Sequence, residues 1–310
     1  MKTVKAFAPA TVANVSCGFD ILGFAIEGMG DIVQLNEKES PGLEVSSISG
    51  DEGKLPLDAA KNTCAVAIQA MVEDLGINPG ISIQLEKGLP LGSGMGSSAA
   101  SAVAALVAAN EFLGSPYEKK DLLPFAIAAE KIACGAGHAD NVAPSLLGGF
   151  VLIRDYHPLD VIKLNVPQDL YCTLLHPHFE LKTADSRSVL REAIPLKHAT
   201  IQSGNVAGLI AGLYEEDYEL ISRSLRDVIA EPYRAVLIPG FYEVREAVKG
   251  AGALGMGISG SGPTLFCLSK GKEKAVQIAK AAEEVYQSIG LGVDVYFSAI
   301  NTDGGYVLTE

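Results

Sequence analysis

The chain has 310 residues, 48% hydrophobic and 20% charged, with a formal net charge of −13. This composition belongs to globular rather than disordered proteins, and the length favours two domains over a single core. The acidic balance excludes a general nucleic-acid binder, and five scattered cysteines without a CxxC pair fit reduced thiols in a cytoplasmic protein, not a disulfide or zinc framework.

In chain order, MKTVKAFAPATVANVS lacks the apolar core and cleavage site of a signal peptide. KAFAP, GFAIE, IVQLNE and LEVSSI read as four strands separated by Gly, Asp and Pro turns. A helical pattern runs from Asn62 to Leu75, and ISIQLEKG from Ile81 alternates as a half-buried strand does. An alanine-rich helix follows Ser98, interrupted by Asn110 and Glu111 and too weakly apolar to span a bilayer. A second amphipathic helix covers Asp121 to Cys134, closed by Gly135 and Gly137, and a strand covers Gly149 to Arg154. A composition shift near Asp155 to Pro158 marks the expected domain boundary, giving domains 1–155 and 156–310. Beyond it come strands at Val161–Leu164 and Tyr171–Leu175, then helices at Ser188–Ala193, His198–Leu213, Tyr218–Leu225 and Tyr242–Lys249. The strand–turn GALGMGISGSGPTLFCLS, a helix from Glu273 to Ser288 and the strand GVDVYFS complete an α+β half.

The richest signal is PLGSGMGSSAAS, residues 90–101, which places three glycines, followed by the pair Ser97 and Ser98, between a strand and a helix. Glycines let the backbone adopt positive φ and approach an anion without a Cβ, while the first N–H groups of the helix point at the loop. A polyphosphate is the expected occupant. No GK[ST] follows Gly96, so the loop is not of Walker type, and the spacing and missing distal acid exclude the dinucleotide fingerprint. The competing reading is a flexible loop that caps a buried helix through Ser97. Ser98 adds a hydroxyl where a phosphate-bound cation needs a ligand.

Two further glycine-bearing segments are weak by themselves. PATVANVSCGFD, from Pro9 to Asp20, offers Asn14, Ser16 and Asp20, but these are also ordinary turn residues. GISGSGPT, from Gly257 to Thr264, could be a tight hairpin. Taken together and in this order, the three loops resemble the signature of the GHMP kinase superfamily, with Met95 at the usual leucine of the central loop. Within it, PAT-x-AN-x-x-x-GFD, GAGHADNVAPSLLGG, DSRSVLR and EPYRAVLIPG are most similar to the homoserine kinase branch. Cys17 stands where many members of that branch carry proline.

The resemblance implies a two-domain α+β GHMP kinase fold. Its N-terminal α/β domain would be like domain 2 of ribosomal protein S5, its C-terminal α+β domain ferredoxin-like, with ATP in the cleft between them. It implies ATP-dependent phosphorylation of the side-chain hydroxyl of L-homoserine, on the way to threonine, by a cytoplasmic homodimer that binds neither nucleic acid nor membrane. For ATP it implies Asn62, Lys87 and the loop Pro90, Leu91, Gly92, Ser93, Gly94, Met95, Gly96, Ser97, Ser98, Ala99 and Ala100. For Mg²⁺ it implies Ser98 and Glu130. Read as residues alone, Asn62 is equally a helix N-cap, Lys87 a strand-end charge and Glu130 a solvated carboxylate.

A zwitterionic substrate needs both signs. Arg187 and Arg234 suit its carboxylate, because a guanidinium fork binds a carboxylate at two points. Asp20 and Asp140 suit its ammonium group, with Asn14, His138 and Gly260 completing the substrate set. Asn141 would orient the hydroxyl. With Asp140 on the ammonium group, the expected mechanism has no dedicated general base. Rival expectations are another GHMP kinase, of the mevalonate or shikimate class, and an inactive ATP-binding sensor of the same fold.

Overall fold

A computed structural model describes residues 2–134 and 137–309. Gly135 and Ala136, the start of the expected substrate segment GAGHADNVAPSLLGG, lie outside the described residues.

The first half opens with β1 (Thr3–Ala13), β2 (Leu22–Glu37) and β3 (Gly42–Ser49), then α1 (Thr63–Asp74), β4 (Gly80–Glu86) and α2 (Ser97–Phe112). It continues with α3 (Leu123–Cys134), α4 (Ala139–Leu147), β5 (Phe150–Tyr156) and β6 (Leu159–Lys163). The segments expected as two strands, GFAIE and IVQLNE, are one continuous β2, because β1 runs antiparallel along both. On its other side β2 changes partner, from β5 at Leu22–Phe24 to β4 at Ile32–Glu37. Strand β3 joins β4 in parallel; α1, α2 and α4 pack against this mixed sheet, and α3 packs on those three helices. Helix α2 is buried on all sides from Ala99 to Ala109, as its apolar, small-residue composition requires.

The second half holds β7 (Leu170–Pro177), α5 (Thr183–Ser188), α6 (Leu196–Glu215), α7 (Tyr218–Ser224) and α8 (Glu231–Arg234). It ends with α9 (Phe241–Gly250), β8 (Gly255–Ile258), β9 (Leu265–Lys270), α10 (Lys272–Ser288), β10 (Val293–Ala299) and β11 (Tyr306–Val307). The second sheet is antiparallel, in the order β10-β7-β9-β8. One core packs α9 and α10 against it. Another lies between the two halves, where Phe24 stacks on Phe150 at 4.5 Å and meets Phe266 edge-on at 5.9 Å. A cut at residue 155 passes through the β5–β6 hairpin, and β11 returns to pair with β1 in the first sheet.

The helix expected at Ser188–Ala193 lies earlier, as α5, so Arg187 sits in its last turn. Helix α4 was not anticipated; Pro144 inside it hides the pattern. Among the described residues, no helix is long and apolar enough to cross a membrane. Cys17, Cys64, Cys172 and Cys267 are buried free thiols, with burial raising Cys17 to about 12.

Candidate active site

All three glycine-bearing loops converge on one cleft of about 420 Å³. They are hydrogen-bonded to one another: Thr11 N donates to Met95 O at 3.0 Å, Ser259 Oγ to Gly94 O at 2.7 Å, and Gly260 N to Ala13 O at 3.2 Å. Such bonds between distant segments make the cleft floor a single piece.

In the central loop Gly92, Gly94 and Gly96 have φ of 67°, 81° and 69°, the left-handed region that disfavours a side chain. A Cβ on Gly94 would come within 2.6 Å of Ser259 O, so only glycine allows this approach of loop to loop. Gly96 is the N-cap of α2 and no side chain caps the helix, so Ser97 does not play the capping role of the competing reading. Ser97 Oγ instead donates to Leu89 O at 3.4 Å. An uncapped helix N-terminus that faces a cleft attracts an anion.

Leu91, Gly92, Ser93, Gly94, Gly96, Ser97 and Ser98 line the cleft; Pro90, Met95, Ala99 and Ala100 do not, the last three being wholly buried. Asn62 also lines it while capping α1, its Oδ1 accepting from Cys64 N at 3.0 Å and its Nδ2 donating to Pro56 O. Lys87 borders the cleft, but its side chain is 1% exposed and its Nζ donates to Asp31, Ser97 O and Ser101 Oγ.

Ser98 and Glu130 line the same cleft, with Glu130 only 5% exposed. A hydroxyl and a carboxylate beside a glycine loop are hard oxygen donors of the kind Mg²⁺ takes, so these residues fit the ion. Among the described residues no three His, Cys, Asp or Glu groups converge as a metal cage. The fit is to a cation that keeps waters and draws further oxygens from phosphate.

At the other end, Asn14, Val15 and Ser16 follow one another at positive φ, and Asp20 does the same at 58°. Strain of about 1–3 kcal/mol per residue is held where surrounding contacts over-determine the backbone. Here Asn14 Oδ1 accepts from Asp20 N at 2.9 Å, and Asn14 Nδ2 donates to Gly260 O at 2.7 Å. Arg234, 3% exposed, donates through Nε to Ser186 O and through Nη1 to Gly260 O, and lies over the Phe19 ring at 5.2 Å. Arg187 Nη2 donates to His138 Nε2 at 2.8 Å and to Asp20 Oδ1 at 3.4 Å. Burial lowers His138 from its usual value, which suits a neutral ring accepting from the arginine.

Asp140 stands in the first turn of α4, 3% exposed, and its Oδ1 has no hydrogen-bond partner. Burial first, then the Asp20 charge, pushes it up to about 7, against the pull of Arg187. Asn141 Oδ1 accepts from Thr11 Oγ1 at 2.8 Å, which leaves its Nδ2 to donate.

Several residues on or behind the cleft wall went unmarked in the sequence. Thr183 and Ser261 join hydroxyl to hydroxyl at 3.1 Å on the cleft wall. Tyr156 OH donates to Asp20 O and accepts from Ala139 N, tying the first loop to α4. Thr183 had a signal, a helix N-terminus just before DSRSVLR; Tyr156 had none.

The sequence matches the family description "GHMP kinases N terminal domain" over residues 62–149 and "GHMP kinases C terminal" over 209–288. It is 50% identical to a homoserine kinase of Chloroherpeton thalassium, over 99% of this chain and 100% of that one. The structure superposes on a crystal structure of homoserine kinase from Cytophaga hutchinsonii with a TM-score of 0.97 and 54% identity, covering 99% of this chain and 98% of that one. A mevalonate kinase of Methanococcus jannaschii, 15% identical, shares the fold with a TM-score of 0.71, covering 96% and 98% of the two chains. The two-domain fold, the glycine loops docked on one another and the full-length likeness agree: the chain belongs to the GHMP kinases and, among them, to the homoserine kinase family.

Proposed function

We infer that the protein transfers the γ-phosphoryl group of ATP to the side-chain hydroxyl of L-homoserine, giving O-phospho-L-homoserine and ADP, a step towards threonine. The observation that carries this reading is one cleft with two chemically distinct ends. One end is a glycine loop with an uncapped helix N-terminus; the other sets Arg187 and Arg234 beside Asp20 and Asp140. The first end suits a polyphosphate and the second a zwitterion.

In this reading the loop from Pro90 to Ala100 holds the phosphates, with Asn62 and Lys87 supporting the nucleotide side of the cleft. Ser98 and Glu130 would hold Mg²⁺, which when bound supplies charge neutralisation to the phosphates. Arg234 and Arg187 take the substrate carboxylate, Asp140 and Asp20 the ammonium group, and Asn14, His138 and Gly260 fix these groups in place. Asn141 Nδ2 donates to an oxygen of the reacting pair and aligns it. The homoserine hydroxyl oxygen forms its bond to phosphorus as the bond to the ADP oxygen breaks. Phosphoryl transfer depends on in-line placement more than on covalent help, so the hydroxyl proton can leave late, to an oxygen of the transferred group. A homodimer in the cytoplasm belongs to the same reading, and sedimentation tests the dimer.

The discriminating experiment is ADP release with L-homoserine, L-serine, mevalonate and shikimate. Homoserine should be used at least tenfold more efficiently than any other; equal use of mevalonate would reassign the protein within the superfamily. ADP release with none of the four would leave an ATP-binding sensor.

A further inference from the structure

The charges beneath the phosphate loop are arranged in a way the substrate chemistry does not require. Asp31 lies in β2 at the point where that strand takes β4 as its neighbour, and its side chain is wholly buried. Its Oδ2 accepts from Lys87 and from Ser101 Oγ at 2.6 Å, and its Oδ1 accepts from Gly88 N at 3.0 Å. Lys87 spends its remaining donors on Ser101 Oγ and on Ser97 O, both at 2.9 Å. Every polar atom of the pair is satisfied, and the pair has no net charge.

A lysine so engaged offers little to a nucleotide. Turning Nζ into the cleft would strand a buried carboxylate, and an unpaired buried charge is among the most destabilising things a fold can contain. What Lys87 does reach is the carbonyl of the first residue of α2. That carbonyl belongs to the same peptide unit as Ser98 N–H, one of the unpaired donors of the helix terminus beside the cleft. A charge-assisted bond to the oxygen fixes the plane of that peptide and polarises its N–H, which makes it a stronger donor to an anion.

We propose that Lys87, Asp31 and Ser101 form a positioning cluster that sets the Ser97–Ser98 peptide for phosphate from behind, with Lys87 acting on the loop and not on the nucleotide. This rests on the reading of the loop as the phosphate site. Asp31 holds the ammonium group in place, and Ser101 links acid, base and helix. The charge on the nucleotide phosphates is then left to the helix terminus and the cation.

The test measures ADP and adenosine binding by calorimetry, kcat with homoserine, and the amide shift of Ser98, in the full chain. Lys87→Met should lower the melting temperature by stranding Asp31. Lys87→Met/Asp31→Leu removes both charges and should recover the melting temperature. In that double variant ADP should still bind about tenfold more weakly, adenosine should bind as in the wild type, and kcat should stay down by about 100-fold, the usual cost of a small misplacement. The Ser98 amide shift should move with it. Ser101→Ala keeps both charges and should weaken ADP binding about threefold with adenosine unchanged. A double variant that regains ADP affinity and kcat, or a Ser101→Ala protein with normal ADP affinity, shows a cluster that serves the fold alone. Adenosine affinity that falls along with ADP affinity shows Lys87 touching the nucleoside; either result overturns the inference. A wild-type protein that binds adenosine as tightly as ADP overturns the phosphate-loop reading, and the inference with it.

Discussion

Asn14 donates from Nδ2 to the carbonyl of Gly260 at 2.7 Å, and the same oxygen accepts Arg234 Nη1 at 3.1 Å. One main-chain oxygen therefore ties the first loop and a cleft-lining arginine to the third loop. Asn14→Asp keeps an acceptor for Asp20 N and tolerates the positive φ, but turns an oxygen towards the Gly260 oxygen. A buried polar group left without its partner costs about 1–3 kcal/mol. The urea midpoint should drop accordingly at constant m, and kcat/KM for homoserine should fall. An unchanged midpoint would mean that the loops hold together without this bond.

The cation end predicts a different signature. Glu130→Gln keeps the shape of a side chain only 5% exposed and removes its charge. Losing a partner of a metal site commonly costs about 10–100-fold in affinity, and a direct ligand should cost at least that. The Mg²⁺ concentration for half-maximal rate should rise by that factor, with the KM for homoserine unchanged. A Glu130→Gln enzyme with the wild-type Mg²⁺ profile would remove this residue from the cation site.

The two arginines should separate because their surroundings differ. Arg187 has a 38% exposed side chain and bonds to other side chains, whereas Arg234 is buried and bonded to main-chain oxygens of two segments. Either change to Leu should raise the KM for homoserine about ten- to a hundredfold, the loss of a charge-assisted hydrogen bond of about 1.5–3 kcal/mol, with the KM for ATP little changed. Only Arg234→Leu should also lower the melting temperature, because it strands Ser186 O and leaves Gly260 O to Asn14 alone. Equal effects on both KM values would show that the arginines support the fold and not the carboxylate.

Local chemistry made the loops and most elements readable. Three left-handed glycines in five residues, Asn62 before α1 and the alternation of β4 are all statements about neighbours in sequence. What stayed hidden depends on distant partners. Asp31 reads as a turn residue between GFAIE and IVQLNE until Lys87, 56 residues away, is seen to neutralise it inside a continuous strand. Helix α4 carries Asp140 and Asn141 but contains Pro144, and α5 is only six residues long, too short for periodicity to place. Thr11 supports Asn141 across 130 residues, and Tyr156 reaches Asp20 across 136; no local pattern announces either pair.

Asp140 is where stability and catalysis can be told apart by pH. Its folded value of about 7 lies above the ordinary 3.8, so folding favours the protonated acid. Below about pH 4 both states are protonated and Asp140 costs nothing. As pH rises towards 7 the unfolded chain ionises first and stability is lost, and above 7 the penalty is constant at about 4 kcal/mol as an upper bound. Asp140→Asn should therefore stabilise the substrate-free protein at pH 8, with the gain shrinking towards pH 4; a pH-independent melting difference would contradict the buried acid. The same residue can meet a substrate ammonium group or, with a value near 7, serve as a general base. If it binds the ammonium group, kcat/KM for homoserine falls below about pH 7 because the free enzyme is protonated, while kcat at saturating substrate stays flat. Asp140→Asn then mainly raises the KM for homoserine, and Asn141→Ala mainly lowers kcat through lost alignment. If Asp140 is the base, the acidic limb appears in kcat itself, and Asp140→Asn removes both the limb and about 10²–10⁴-fold of the rate at unchanged KM. The unpartnered Oδ1 and the paired state of Asp20 with Arg187 favour the first outcome, because Asp140 is then the carboxylate left open to the substrate's positive end.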